Sequence, residues 1–492
     1  MPTPASGGPD SGLSFTDREI LTTATHPDFR AWLARIRHIG GCQHPVHLVG
    51  HTLTVDAGTG RLVRAFTSAE QPHGRLTIAC GNRRQSRCEP CARLHQGDTY
   101  QLVVAGLAGG KGVPDSVRDH PRVFVTFTAP SFGPVHRHTT DDPCRPSRRR
   151  RGLVCAHGRP LWCLDRHPSD DPLTGSPICG DCYDYPAAVL WNAHTRDLWQ
   201  RLHRNLYEAL ATTRGMSRTA ARNTVRVGYA KVAEYQRRGA VHFHAVMRFD
   251  GPTVDTPPPA WATLALLVQT VRTATRRVHL AVPGLDTILR FGAQLDIRPI
   301  LPGIGSDDDL NERAVASYIA KYVTKPDIAG ITVDRPIRDA ITISVLPVTG
   351  HARTLIRTCW TLGGRPEHKA LNLRRWAHQL GYRGHIASKS RAYSTTYTAL
   401  RAAREEHRRD QADELLPDAP DAITDKQWTY TGNGHTAGQA MFADAIADDL
   451  QAARDAAHDA RAGGEATGTD TARLAMPTNR RSRPLGTKGG QG

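Results

Sequence analysis

The sequence predicts a mixed α+β protein from two patterns. Residues 226–250 form two runs rich in β-branched and aromatic side chains, separated by the stretch RRG, which is typical of antiparallel strands joined by a short hairpin loop. Residues 185–213 repeat apolar side chains at near-helical spacing, among them Leu198, Leu202 and Leu206. A chain of 492 residues, 39% of them hydrophobic, can bury a sizeable core, and we expect two or three domains.

The net charge narrows the class of partner. A formal charge of +17 and an isoelectric point near 9.8 favour a polyanion such as nucleic acid. No apolar run approaches the roughly 20 residues of a membrane span, and the polar N-terminus shows no export signal. We therefore expect a cytoplasmic protein without a membrane partner, whose ten cysteines are metal ligands or buried thiols rather than disulfides.

The second predicted strand carries His242 and His244 on alternate positions. If the loop closes at Gln236 with Gly239 in the left-handed conformation, Glu234 lies directly opposite His242. Opposed side chains share a sheet face, and His244 lies on that face too. One carboxylate and two imidazoles together predict a divalent-metal site with positions left for water or phosphate. The alternative is a row of solvent-facing polar residues on an amphipathic strand.

A second motif, AVASYIAKYVTKPD at 314–327, predicts a helix that ends near Lys325. Tyr318 and Tyr322 are then about 40° apart on one helix face, flanked by Lys321 and Lys325. Neighbouring ammonium groups favour the phenolate form of a tyrosine, and a lysine can stabilise a phosphate during its transfer. The alternative is that two aromatic rings four residues apart pack into the core.

The cysteines near the N-terminal side predict a structural zinc site. Cys80, Cys88 and Cys91 are spaced like zinc ligands. Cys42 is the expected fourth ligand of this tetrahedral site, with His95 as the alternative.

A second zinc site is predicted from four cysteines further along the chain, with buried thiols as the alternative. The expected ligands are Cys155, Cys163, Cys179 and Cys182. His157 and His167 compete for a position in this site, whereas Cys144 and Cys359 are expected to be unpaired. We therefore expect about two zinc ions per chain.

Several of these motifs resemble the HUH endonucleases. VHFHAV at 241–246, followed by YIAKYVTK at 318–325, resembles their two-tyrosine rolling-circle initiators. The stretch RVFVTFTAPSFGPVH at 122–136 resembles the strand with their first motif. The phrases CGNRRQSRCEPC and LRRWAHQLGYRGHIASKSRAYSTT resemble the replication initiators of actinomycete plasmids and integrative elements, and this likeness extends over about 40–400.

The resemblance implies a fold and a metal-dependent nuclease activity. The HUH fold is an antiparallel sheet flanked by helices, related to the ferredoxin-like arrangement. Its metal, Mg²⁺ or Mn²⁺, would be held against the scissile phosphate by His242 and His244, with Glu234 as the third ligand. Imidazole ligands suit Mn²⁺ better than Mg²⁺. Thr126 and Thr128 of the first motif are expected to be structural or to contact DNA.

The resemblance also implies roles for the tyrosines and a partner. Tyr318 or Tyr322 would attack a phosphorus of single-stranded origin DNA, leaving a 5′-phosphotyrosyl link and a free 3′-hydroxyl that primes rolling-circle replication. The second tyrosine would then rejoin the ends, and Lys321 and Lys325 would stabilise charge in the transition state. The implied partners are the origin DNA of a plasmid or integrative element, at a single-stranded nick site and a duplex binding site, and a host helicase and polymerase.

Two other functions agree with the same motifs. A two-tyrosine transposase shares every catalytic residue and differs in its substrate and in the fate of the 3′-hydroxyl. A zinc-stabilised DNA-binding regulator would bind a specific sequence without cutting it.

Composition and motifs divide the chain into six expected regions. These are a flexible N-terminus at 1–29, a Cys-rich zinc-binding region at 30–110, an HUH endonuclease domain at 111–335 with the second zinc element inserted at 144–183, a basic DNA-contacting region at 336–400, a helical extension at 401–460, and a disordered basic tail at 461–492.

Overall fold

The computed structural model describes residues 13–138, 144, 152–168, 170–301, 311–324, 333, 335–412 and 422–465. Its helices are α1 (Phe15–Thr25), α2 (Phe29–His38), α3 (Glu89–Ala108), α4 (Tyr185–Arg214), α5 (Arg218–Thr224), α6 (Leu264–Arg276), α7 (Glu312–Thr324), α8 (Ala340–Val345), α9 (Gly350–Leu362), α10 (Tyr397–Ala412) and α11 (Ala437–Glu465). Its strands are β1 (Val46–Asp56), β2 (Leu62–Thr67), β3 (Leu76–Ile78), β4 (Arg122–Phe127), β5 (Arg226–Tyr235), β6 (Val241–Asp250), β7 (Leu295–Pro299), β8 (Ala387–Lys389) and β9 (Ala422–Asn433). None of the helices within these ranges combines the length and apolar character of a membrane span.

Two compact units divide the chain. Among the described residues, β1 to β8 pair antiparallel with their neighbours, which confirms the predicted α+β class. The first unit comprises Met1–Val49, Ser68–Ile78 and Thr429–Gly492, and the second comprises Gly50–Thr67 and Ala79–Trp428. In the first unit, α2 and α11 bury an apolar cluster that includes Trp32, Ile36 and Ile446. The larger second unit contains all the residues of the predicted nuclease site.

The second unit is built on a five-stranded sheet with the order β7-β4-β6-β5-β8. Odd-numbered residues of β6, such as Phe243 and Ala245, join the core formed with α4 and α6. The even-numbered Val246 joins a second core on the opposite face, formed with α3 and α7. The sheet is therefore covered by helices on both faces, and His242 and His244 lie on the face toward α7, because residues two apart on a strand share a face.

Helix α4 holds the start of β6 in place. It begins where the Asp184 carboxylate accepts a hydrogen bond from the Ala187 backbone N–H at 2.9 Å, an N-terminal cap. In its first turns the Asn192 side-chain amide donates to the Gly239 carbonyl at 2.8 Å, and its oxygen accepts from the Val241 N–H at 2.9 Å. Since Asn192 is fully buried, these bonds fix the hairpin loop against the core.

The structure differs from the expected regions at both ends of the chain. Helix α1 lies within the region expected to be flexible, because Ser14 and Asp17 form a reciprocal capping box that starts a helix. Strand β9 interrupts the expected helical extension, and its sequence AITDKQWTYTGN is rich in β-branched and aromatic residues. Helix α11 continues to Glu465, and the rest of the predicted tail lies outside the described residues.

The left-handed conformation of Gly239 gives a stability prediction. Its φ is +76°, so Gly239→Ala should lower the free energy of unfolding by about 1–2 kcal/mol, the cost of this conformation for a residue with a Cβ atom. Urea unfolding followed by tryptophan fluorescence measures the change. Gly350→Ala is the control, because a Cβ at that position meets nothing within 4 Å. Equal unfolding midpoints for the two variants would refute the role of Gly239.

Candidate active site

The hairpin register is the one predicted from the sequence. The Gln236 N–H donates to the Ala240 carbonyl at 2.8 Å and the Gly239 N–H donates to the Gln236 carbonyl at 2.8 Å, which closes the loop. Glu234 then pairs directly with His242 across β5 and β6. The register therefore brings the carboxylate of one strand to the imidazoles of the other, as expected.

The three predicted ligand atoms form a tight triangle. His242 Nε2 and His244 Nε2 are 3.0 Å apart, and Glu234 Oε2 lies 3.1 Å from the first and 3.2 Å from the second. Adjacent ligands of an octahedral ion bound at about 2.1 Å are about 3.0 Å apart, so the triangle matches one face of such a coordination shell. The residues present thus fit a divalent cation with open positions on its outer side.

The protonation states also suit a metal. Burial alone would raise the pKa of Glu234, but hydrogen bonds and charge interactions with His242 and His244 outweigh it and bring the pKa to about 2. Burial lowers the pKa of His244 below its usual value. At neutral pH the glutamate is therefore ionised and His244 is neutral, which are the forms that bind metal.

Residues of the neighbouring strands β4 and β7 complete the arrangement around His244. Thr126 of β4 pairs with His244 on one side and with Asp296 of β7 on the other. Thr126 Oγ1 lies 3.1 Å from His244 Nδ1, and the Phe124 ring is stacked on the imidazole at 5.8 Å between centroids. These contacts hold the His244 ring so that its Nε2 atom faces Glu234. Sequence reasoning missed Asp296, because the pairing of β7 with β4 joins segments far apart in the chain.

Both predicted tyrosines face this cluster from α7. The Tyr318 hydroxyl lies 3.1 Å from His244 Nε2, and the Tyr318 and Tyr322 rings are 4.7 Å apart between centroids. The Tyr322 ring lies 6.0 Å from the His244 ring. The two phenols therefore share the helix face that the sequence predicted, and this face is turned to the three candidate ligands.

The expected effect of lysine on the tyrosines is not what the structure gives. Burial raises the pKa of Tyr318 well above its usual value, and Tyr322 and Glu234 raise it further. The pKa of Tyr322 is also raised, chiefly by burial. Lys321 is exposed and Lys325 lies outside the described residues. In the described residues, burial beside a carboxylate favours the neutral phenol and Lys321 does not offset it, whereas the effect of Lys325 stays a prediction.

A basic groove of about 1160 Å³ opens at the strand ends beyond the cluster. Thr128 after β4, Gln236 after β5 and Leu295 at the start of β7 lie on its wall. None of the described residues that line it is acidic. We use the name basic groove for the surface formed by its basic residues, which are Arg137, Arg238, Arg272, Arg276, His279 and Arg290.

In the first predicted zinc group, three cysteines are brought together in the second unit. Cys80 Sγ and Cys91 Sγ are 3.7 Å apart, and Cys88 joins them at the start of α3. The alternative ligand His95 packs instead against Tyr397, with ring centroids 5.0 Å apart. Cys42 belongs to the first unit, and its part in this site remains a prediction.

The second predicted zinc group needs a correction. Cys155, Cys179 and Cys182 do lie together, but their fourth neighbour is His157, whose Nδ1 lies 3.3 Å from Cys182 Sγ. Cys163 is not part of this group. The chain folds back so that Cys163 Sγ lies 3.4 Å from His167 Nε2, in a separate cluster that also includes Cys144, which the sequence analysis left unpaired.

Two comparisons with known proteins match most of the chain. The family model described as "RepSA: Replication initiator protein, pSAM2" matches residues 28–448. A "Replication initiator protein" of Streptomyces ambofaciens is 43% identical over 457 residues, which cover 90% of this chain and 95% of that protein. No solved structure matches the chain significantly.

The Thr126 contact predicts how strongly the site binds metal. Thr126→Val removes the hydrogen-bond partner of His244 Nδ1 and should weaken Mn²⁺ binding about 10- to 100-fold, as losing such an outer partner does in other sites. Isothermal titration of the zinc-loaded protein with Mn²⁺ measures it. Thr128→Val is the control, since that hydroxyl donates to the Gln294 carbonyl instead. An unchanged affinity in Thr126→Val would show that the contact does not support a metal ligand.

Proposed function

The chain belongs to the family of the pSAM2 replication initiator, and we propose that it starts replication by cutting one strand of origin DNA with a tyrosine of α7. Membership in this family makes the protein a replication initiator and favours replication over transposition. One observation supports the cutting step above all. The Tyr318 hydroxyl lies 3.1 Å from His244 Nε2, which is one of the three candidate metal-ligand atoms.

The proposed fold of this catalytic region is the HUH endonuclease fold. It is supported by a five-stranded antiparallel sheet with helices on both faces, by the histidine pair on a central strand, and by the tyrosine helix packed on the histidine face. A divalent ion, Mn²⁺ or Mg²⁺, held by Glu234, His242 and His244 would neutralise charge on the scissile phosphate and favour the phenolate form of the attacking tyrosine.

The reaction is a transesterification. The Tyr318 hydroxyl gives up its proton as its oxygen forms a bond to phosphorus, and the bond from phosphorus to the 3′ oxygen breaks. The 3′ oxygen takes up one proton to become a 3′-hydroxyl, so the step involves no net change in protons. Energy of the phosphodiester is kept in the phosphotyrosyl link, so the ends can be rejoined later. We assign the first attack to Tyr318, because its hydroxyl contacts His244, and the later rejoining step to Tyr322. Lys321 and Lys325 are proposed to stabilise charge on the phosphate.

The basic groove is proposed to bind the single strand at the sheet end nearest the candidate metal site. Arg272 and Arg276 are exposed one turn apart on α6, and Arg137 and Arg290 are exposed on the same groove. Exposed arginines can pair with backbone phosphates at little desolvation cost, and they bind without regard to sequence. Gln236 on the groove wall is two residues beyond Glu234, so the groove and the candidate metal site lie at the same end of the sheet. Because α6 and α7 cover opposite faces, a strand bound in the groove would pass round this sheet end to reach the tyrosines. Host helicase and polymerase are the further partners that this function requires.

The tyrosine assignment is tested by trapping the covalent intermediate. With Mn²⁺ and a labelled single-stranded origin oligonucleotide, the wild-type protein should form a covalent adduct that denaturing electrophoresis resolves. The double variant Tyr318→Phe, Tyr322→Phe should form none, because both nucleophilic oxygens are gone, and should bind duplex origin DNA nearly as well as wild type. Tyr430→Phe, an exposed tyrosine of the first unit, is the control and should leave the adduct unchanged.

Two outcomes would contradict the assignment. An adduct that persists in the double variant would place the nucleophile elsewhere. Specific DNA binding by the wild type with no adduct on either strand would favour a non-catalytic regulator.

Reversing charge in the basic groove should weaken single-strand binding. Arg272→Glu with Arg276→Glu should lower affinity for a labelled oligonucleotide at least about tenfold and reduce the slope of its logarithm against salt concentration by roughly 1, as the loss of one or two phosphate contacts predicts. Fluorescence anisotropy at several salt concentrations measures both values. The control pair Arg196→Glu with Arg357→Glu changes charge equally at exposed arginines outside the groove. Equal losses in both pairs would mean that only net charge matters.

A further inference from the structure

The segment between β4 and α4 gathers eight metal-binding side chains into two clusters. The first cluster consists of Cys155, His157, Cys179 and Cys182, and the second of His136, Cys144, Cys163 and His167. Within each cluster one potential ligand atom from every residue lies within 4.8 Å of all the others. Both clusters lie in the second unit, so one part of the fold holds them.

The distances between neighbouring ligand atoms in both clusters lie within about 0.5 Å of those expected for tetrahedral zinc, the longest being 4.0 Å from Cys155 Sγ to His157 Nδ1. With zinc bonds of about 2.3 Å to sulfur and about 2.05 Å to nitrogen, tetrahedral geometry separates two sulfurs by about 3.8 Å, sulfur and nitrogen by about 3.5 Å, and two nitrogens by about 3.3 Å. In the first cluster, Cys155 Sγ and Cys179 Sγ are 3.7 Å apart. In the second, Cys163 Sγ and His167 Nε2 are 3.4 Å apart, and His136 Nδ1 and His167 Nε2 are 3.0 Å apart.

The second cluster also has the outer contacts that metal ligands require. His167 Nδ1, on the side away from the cluster, lies 2.7 Å from Asp171 Oδ2, which fixes the ring and presents Nε2 to the other ligands. The Arg137 backbone N–H donates to Cys144 Sγ at 3.0 Å, a contact that stabilises a thiolate. Cys144 is fully buried and His167 is 2% exposed, so the cluster is shielded from water, as a structural metal site requires.

From these contacts we infer that the segment holds two structural zinc ions, one bound by Cys155, His157, Cys179 and Cys182 and the other by His136, Cys144, Cys163 and His167. The ligands alternate in pairs along the chain. The pair 136 and 144 shares its ion with the pair 163 and 167, and the pair 155 and 157 shares its ion with the pair 179 and 182. Each zinc therefore closes a loop that contains ligands of the other, and the two sites brace each other.

This braced segment supports the hairpin loop beside the candidate active site. Gly175 has a φ of +92° and packs so closely that a Cβ there would lie 2.5 Å from the carbonyl carbon of Arg237. Arg137, which follows a proposed zinc ligand, lines the basic groove. The zinc sites thus hold one wall of the groove. The two zinc sites do not depend on the proposed cutting reaction, and they can be tested without DNA.

Zinc content of the full chain, measured by native mass spectrometry, tests the second site. Cys144→Ser should lower the content by at least one ion per chain, and by two if loss of one site opens the other. Cys359→Ala, a buried cysteine of α9 outside both clusters, is the control and should keep the wild-type content. A folded Cys144→Ser protein, checked by circular dichroism, that keeps every zinc would overturn the inference.

A measurement on the wild type decides the question if Cys144→Ser does not fold. After exchange of zinc for ¹¹³Cd, the nuclear magnetic resonance spectrum should contain one signal in the range of sites with two sulfur and two nitrogen ligands and another in the range with three sulfurs and one nitrogen. Absence of the two-sulfur signal would overturn the second site, whatever the outcome of the nicking assay.

Discussion

The pairing register of β5 with β6 is the constraint on which the candidate site depends. A shift of one residue would turn His242 and His244 into the core and Phe243 toward α7, because side chains alternate between the faces of a sheet. The left-handed Gly239 closes the loop locally, and the buried Asn192 holds the start of β6 through bonds to the Gly239 carbonyl and the Val241 N–H. The local turn and the long-range helix contact therefore favour the same register.

Burial has opposite consequences for the groups gathered there. It keeps His244 neutral and ready to bind a cation, whereas it holds the phenols of Tyr318 and Tyr322 in their unreactive protonated form. The carboxylate of Glu234 stays ionised because the imidazoles bond to it. The site therefore needs a positive charge near the tyrosines, and the triangle of ligand atoms is where a cation would supply it.

Local patterns predicted much of the site, and long-range pairing decided the rest. The loop spacing placed Glu234 opposite His242, and the helical repeat placed Tyr318 beside Tyr322. The position of Asp296 in the sheet, and the placement of Cys163 and Cys144 in one cluster, depend on segments that meet only in the folded chain. No spacing rule in the sequence assigns these positions. The raised tyrosine pKa values could not be predicted either, since burial is a property of the packed helix rather than of its neighbours in sequence.

The most direct test of the account is pulsed electron paramagnetic resonance of Mn²⁺ bound to the zinc-loaded protein. If His242 and His244 both bind the ion, the spectrum should show modulation from two coordinated histidine nitrogens, reduced to one nitrogen in His242→Ala. A spectrum from Mn²⁺ with only water and oxygen ligands in the wild type would contradict the claim that the hairpin forms a metal site.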